Sequence, residues 1–509
     1  MVRRTKTQRV PIAVGTCFAM PQTDGRFSAC QVLCAHSDGG YEVIALDWIG
    51  DAMPTLDALE GVSVLILNHH SWEASPQRLI VDPVPPPEFV PIGVREPLAA
   101  FTDEARSYGS WLGLSDRLLQ QHWWDTVVPA SEAKAYKDAK RNRGQRVTFS
   151  LGGTTHEAGR AMSSARIGPG LALPVPPAAP LDWSVLDAFG MLSAIEYAGT
   201  DTAVVDYIAS RVLLRELHWS AHGCTQIDLS RCGLDKLVVE VGGGPLSLHL
   251  PDDLRRLEFR GYQGQAVAVH HATRGRGLHL SLHDLASPNP MPAITGLDAL
   301  TALSLMSPPE LTIGALGYSN LERLTVNLKG GQVHDLEAVE SLVHLQRLRI
   351  TECYAMEPER FPEAAVLPKL ESVEFVTLRK SHAAVLKKRL KGIPHVDLRG
   401  AKTDAWLAAN ADNPFNNWVD DNARLAKAAC KIYRQSYGRV SKLAADDRDG
   451  YHREMVEFVR AFNALGAKHR LETIEREHIF SAFHTLADAS PVEATDAELA
   501  AWFDEDREF

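Results

Sequence analysis

The amino-acid sequence predicts an α/β multidomain protein: a small N-terminal β domain, a repeat solenoid with a parallel concave sheet, and a C-terminal α-helical region. Three observations predict it. Strand-like runs punctuated by turn signals fill the first 80 residues. The pattern L-x-x-L-x-L then recurs nine times between Leu214 and Leu398. Beyond residue 403 this gives way to apolar residues at helical spacing. A length of 509 residues suits about three domains. Composition divides the chain into 1–150, a Pro/Gly-rich linker at 151–180, the repeat region with its N-terminal cap at 181–402, and 403–509.

In the N-terminal domain, Val14–Met20 and Phe27–Cys34 flank Thr23-Asp24-Gly25, a hairpin turn signal. Ser37-Asp38-Gly39-Gly40 is a second turn leading into Tyr41–Trp48, a run rich in strand formers. Val62–Leu67 reads as a further strand, and the proline-rich Asp82–Pro91 as a stiff connector. Asp116–Trp124 and Ser131–Arg143 read as helices, with Trp111, Trp123 and Trp124 packing them onto the sheet. Gly15–Pro21 (GTCFAMP), Asp24–Leu33 (DGRFSACQVL) and the strand YEVIALDW together resemble the bacterial immunity protein 26 family. That resemblance implies toxin neutralisation by binding and brings no catalytic residues.

The repeat begins at 214, 234, 254, 275, 300, 321, 345, 370 and 393, the copy at 275 being degenerate. The intervals run from 20 to 25 residues. This part resembles the leucine-rich repeat superfamily, which implies a short strand plus a return segment per unit, stacked so that neighbours bury a continuous core. One departure stands out: the Asn or Cys three residues past the last motif hydrophobe is matched only by Cys353. Residues 181–212 are expected to form a helical N-terminal cap. After 403, Asn416–Ser441, Glu454–Ala464 and Ile474–Ala487 read as helices. A final helix starts at the capping box Thr495-Asp496-Ala497-Glu498.

Charge and composition exclude several function classes. Lys+Arg 53 against Asp+Glu 64 gives a net charge of −11, which argues against a general nucleic-acid or membrane-surface binder. No apolar run approaches the ~20 residues of a membrane span. Seven cysteines and no recognisable leader point to a reduced, cytoplasmic setting. Phosphate-loop, nucleophile-elbow, zinc-protease and C-x-x-C motifs are absent, so no catalytic residues, no cofactor and no metal are expected. The nearest metal-like group is His218, His222, Cys224 and Cys232, but His218 should face outward and Cys232 follows a turn into the next repeat, so packing explains it better than zinc. His69-His70 reads as an incidental surface pair.

The third, fifth and seventh positions of each repeat should face outward. In the central strands these include Arg256, Arg260, His279, Arg323, Arg347 and Arg349, with Glu258 the one acid. Cross-strand pairing would leave Arg323, Arg347 and Arg349 short of partners. The expectation is a non-enzymatic protein-binding protein with an acidic partner, a cognate toxin being the specific case. A repeat scaffold or adaptor unconnected with toxins is the alternative, and an enzyme with an unrecognised terminal-domain site the third.

Overall fold

The computed structural model describes residues 12–22, 25–36, 39–86, 88–97, 107–283, 285, 294–308, 310–410 and 413–509. The chain forms two compact units, Met1–Ser281 with Pro292–Leu297, and Leu282–Met291 with Asp298–Phe509.

The first unit opens with strands β1 (Thr16–Pro21), β2 (Phe27–Ala35) and β3 (Tyr41–Gly50), joined by Arg78–Val81 and Val90–Val94 in a five-stranded antiparallel sheet. Gly15 makes the close approach at the sheet end possible: its φ is +87°, and a Cβ there would strike the Arg95 carbonyl oxygen. Thr23, Asp24, Ser37 and Asp38 of the expected turns lie outside the described residues. The hairpins are closed by Gln22 N donating to Arg26 O (2.7 Å) and His36 N donating to Gly40 O (2.8 Å). The expected strand Val62–Leu67 is reduced to Ile66–Leu67, paired with Ser75–Pro76, plus a bridge at Val64.

Helix α1 (Trp111–Thr126) is capped by Ser110, whose side chain accepts from Gly113 N. Trp111 meets Phe18 edge-on at 5.4 Å and donates to Asp82 O, so α1 is pinned to the sheet through a buried aromatic. Helix α2 (Ala130–Arg141) ties this layer to the repeat. Glu132 accepts from Val212 N and Leu213 N and faces Arg211, while Trp124, Val128 and Tyr136 pack with Leu213.

Residues 151–180, marked by composition as a linker, carry regular structure. Arg146–Leu151 and Thr154–Gly159 pair antiparallel, and Ser164–Ile167 runs parallel to Ala194–Ala198. Nor is 181–212 a helical cap throughout. It holds a 3-10 turn (Trp183–Ala188), the strand Ala194–Ala198 and one short helix, Ala203–Ala209. Leu192-Ile195-Tyr197 is a further repeat copy, with Ile195 opposite Leu217 and Tyr197 opposite Trp219. Substitution of Ile and Tyr for Leu hides it in the sequence.

The first unit then continues with parallel strands at Glu216–Ser220, Lys236–Glu240, Arg256–Arg260 and His279–Leu282. The motif residues Leu217, Trp219, Leu237, Val239, Leu257, Phe259, Leu278 and Leu280 are all buried, each contributing ~1.5–3 kcal/mol over exposure. Return segments form their own parallel sheet of Gln226–Asp228, Leu246–His249, Val267–His270 and Ile294–Thr295.

The second unit holds five more parallel strands in chain order: Ala302–Met306, Arg323–Asn327, Arg347–Cys353, Ser372–Leu378 and His395–Arg399. Leu324, Leu348 and Val373 line up in register and are buried. In the last strand Val396 stays exposed. Here the return segments are mostly short 3-10 turns, with one helix, Lys380–Arg389. Many strands end alike. Two residues past the last motif hydrophobe, Ala221, Gly261, Ser307, Glu352, Thr377 and Gly400 take left-handed φ and turn the corner. A Cys stands three past that hydrophobe only at 353.

Helices Val419–Val440, Arg448–Gly466, Thr473–Asp488 and Asp496–Glu505 follow, close to the helical runs expected. They enclose a core of Phe415, Trp418, Tyr433, Phe458, Phe462 and Phe483. The Thr495/Glu498 capping box is formed, and Arg448 grips Glu498 from a neighbouring helix.

Candidate functional site: the outward face of the repeat strands

Period-two alternation buries one set of side chains and turns the other outward, so the face is fixed by strand register. In the first unit the outward charges are largely paired. Arg166 lies 2.6 Å from Glu196, Arg260 2.7 Å from Glu258 and Lys236 3.9 Å from Glu216. The hydrogen bond from Arg166 holds the Glu196 carboxyl below its ordinary range. Burial, aided by the Arg260 charge, pushes the His218 imidazole below its own. His279 is half-buried between the buried Leu278 and Leu280, so the degenerate repeat is in the expected register. Arg256 is exposed, with no ion pair among the described residues.

In the second unit Arg323 and Arg347 stand directly opposite one another on adjacent strands. Both are exposed, and neither has an ion-pair or side-chain hydrogen-bond partner among the described residues. Like charges so placed repel, which mobile salt and water only soften. Arg349 differs from the expectation. Its partner Glu374 is opposite in register on the next strand, with Nε 3.6 Å from Oε2. Arg399 also approaches Glu374 (3.6 Å) and meets Asp397 at 3.0 Å. Of the three arginines expected to lack partners, Arg323 and Arg347 remain, beside Arg256 of the first unit, which stands opposite Lys236 in register.

The suspected metal group does not converge. His222 Nε2 lies 2.9 Å from Glu240 O, the Cys224 thiol donates to His222 O, and the buried Cys232 thiol points to Val205 O. His69 is not a surface residue. It is 2% exposed, with Nδ1 2.8 Å from His70 Nδ1, and His70 sits among Trp123, Trp124 and Tyr136. Burial, with His70, Lys137 and Arg117 nearby, pushes the His69 imidazole down to about 4. Period-two spacing did not reveal this, because the burying side chains come from α1 and α2.

Next to it lies a recess of about 820 Å³ lined by Trp72, Trp124, Lys134, Lys137 and Lys140. Two of its cations are already engaged: Lys137 Nζ donates to Trp72 O and Lys140 Nζ to Ser71 O, both at 2.6 Å. They clamp the 71–73 loop to α2.

No family model matches the chain, and no curated protein does. Among solved structures, an internalin from Listeria monocytogenes is similar at 16% identity, covering 44% of this chain and 76% of that one, with a TM-score of 0.22. So loose a superposition carries no argument; the repeat architecture rests on register and burial. The resemblance of the N-terminal motifs to immunity protein 26 finds no support in these comparisons. No helix among the described residues is long and apolar enough to cross a membrane.

Proposed function

We propose that this is a non-enzymatic protein-binding protein whose repeat solenoid presents Arg323 and Arg347 to an acidic partner surface. The observation that carries the reading is that these two arginines are opposed in register, exposed and unpaired. Arginine is a favoured anchor at interfaces, and opposed unneutralised charge gains most when a partner supplies the counter-charge. An acidic overall balance, −11, makes such a local basic spot conspicuous. The more specific form of the proposal is a cytoplasmic immunity-type protein that neutralises a toxin, motivated by the motifs at Gly15–Pro21, Asp24–Leu33 and Tyr41–Trp48. A toxin-independent adaptor would use the same face.

The test is affinity capture from cell lysate with the wild-type chain and with Arg323→Glu/Arg347→Glu. A partner retained by the first and lost by the second, with salt-sensitive association, supports the reading. Equal retention by a folded double variant moves the site elsewhere.

A further inference from the structure

We propose that Cys34, His36 and Glu42 form a binding site for a divalent transition metal, zinc by preference, at the end of the β2–β3 hairpin. This is independent of the partner surface. Among the described residues they are the only group of three or more metal-donor side chains whose ligand atoms lie within 4.8 Å of one another.

The hairpin builds the site. Cys34 and Glu42 are cross-strand partners in the β2–β3 register, which sets their side chains on one face. His36 is two residues past Cys34, so it returns to that same face. The thiol sulfur lies 3.9 Å from His36 Nε2 and 3.7 Å from Glu42 Oε2, and those two atoms are 3.6 Å apart. A triangle with these sides has its equidistant point about 2.2 Å from every corner. That matches the ~2.0–2.3 Å at which zinc takes imidazole nitrogen, carboxylate oxygen and thiolate sulfur. As hydrogen bonds the two sulfur contacts are long; as edges of a coordination polyhedron they are ordinary.

The surroundings fit as well. Arg78 Nη1 holds the other carboxylate oxygen of Glu42 at 3.2 Å, leaving Oε2 turned to the sulfur and the imidazole. Such outer-sphere support of a ligating carboxylate is usual at metal sites. Glu42 is buried, whereas Cys34 is exposed and His36 half-buried, so an ion has a path in from solvent. Binding deprotonates the thiol: a metal–sulfur bond forms, the S–H proton leaves to water, and no oxidant or reductant is involved. A thiolate–imidazole–carboxylate set favours zinc over magnesium or calcium, which prefer oxygen alone.

The test uses the full chain, stripped with chelator and titrated with zinc chloride, and separately with cobalt(II) chloride as an optical probe. One equivalent of zinc should bind and raise the melting temperature. Cobalt should give the near-ultraviolet thiolate charge-transfer band. Cys34→Ser, a near-isosteric change at an exposed position, should abolish the band and weaken zinc binding at least ~100-fold. His36→Ala should weaken it comparably, and Arg78→Lys by ~10-fold. Melting curves in chelator check that the variants are folded. No thiolate band in the wild type overturns the proposal. So does a band that persists in Cys34→Ser, since the thiolate would then belong to another cysteine.

Discussion

The repeat strands of the two units share a backbone period and a buried column yet differ on the outward side. In the first unit most outward charges are neutralised by a neighbour, as with Arg166–Glu196, Lys236–Glu216 and Arg260–Glu258. In the second, Arg323 and Arg347 are opposed in register with no ion-pair partner among the described residues, whereas Arg349 is paired with Glu374. Folding demands the inward column and is indifferent to the outward one.

The largest expected effects test the part that is common. Phe259→Ala in the first unit and Phe375→Ala in the second each empty a fully buried site. Each should lower unfolding free energy in urea by ~3–5 kcal/mol. A loss below about 1 kcal/mol in either would show that the two inward columns are not equivalent.

Next comes the contrast in binding. Arg323→Glu/Arg347→Glu should weaken a captured partner at least ~100-fold by titration calorimetry, while Arg166→Glu/Arg260→Glu should change affinity by less than about threefold. If both pairs weaken it equally, the paired face matters as much as the unpaired one.

Acid should expose a further difference, because the first unit buries the His69 imidazole in its neutral form. Its folded pKa, about 4, lies below the ordinary value near 6.5, so between those values the unfolded chain binds the extra proton. Stability should therefore be full above about pH 6.5 and fall as pH drops toward 4. His69→Gln should flatten that slope in pH-dependent chemical denaturation; an unchanged slope would remove His69 as its cause.

The smallest effects have opposite signs. Arg347→Gln relieves like-charge repulsion and should stabilise the chain by ~0.2–1 kcal/mol, whereas Arg166→Gln removes an ion pair and should cost a similar amount. Calorimetric melting of the two single variants decides it. Destabilisation by Arg347→Gln would mean that Arg347 already has a partner.

Much of this was legible in the sequence, for reasons particular residues make plain. Leucines spaced three and then two apart can all face inward only on a strand that follows a turn, so nine repeats were readable by counting. Thr495 and Glu498 announce their helix because each satisfies the other's backbone. The strands at Ser164–Ile167 and Ala194–Ala198 escaped because Ala165, Ile167, Ile195 and Tyr197 fill the inward positions without a leucine. Glu374 as the partner of Arg349 depends on register between strands 25 residues apart in sequence. Cys34, His36 and Glu42 converge only once β2 is laid against β3. The Arg349–Glu374 pair and the Cys34–His36–Glu42 group escaped because pairing across strands sets them, not local spacing.

The left-handed corners have a consequence for how such a chain can change length. Strand register is kept while successive repeats differ by up to five residues, 20 to 25. The difference collects after the corner, where one arm carries a strand such as Leu246–His249, another the turns Pro358–Arg360 and Ala364–Val366, and another the helix Lys380–Arg389. Insertions and deletions in those arms need not be matched in adjacent repeats. A foreign peptide grafted between Pro368 and Lys369, both exposed, should thus be carried as cargo, with the strands on either side keeping their partners.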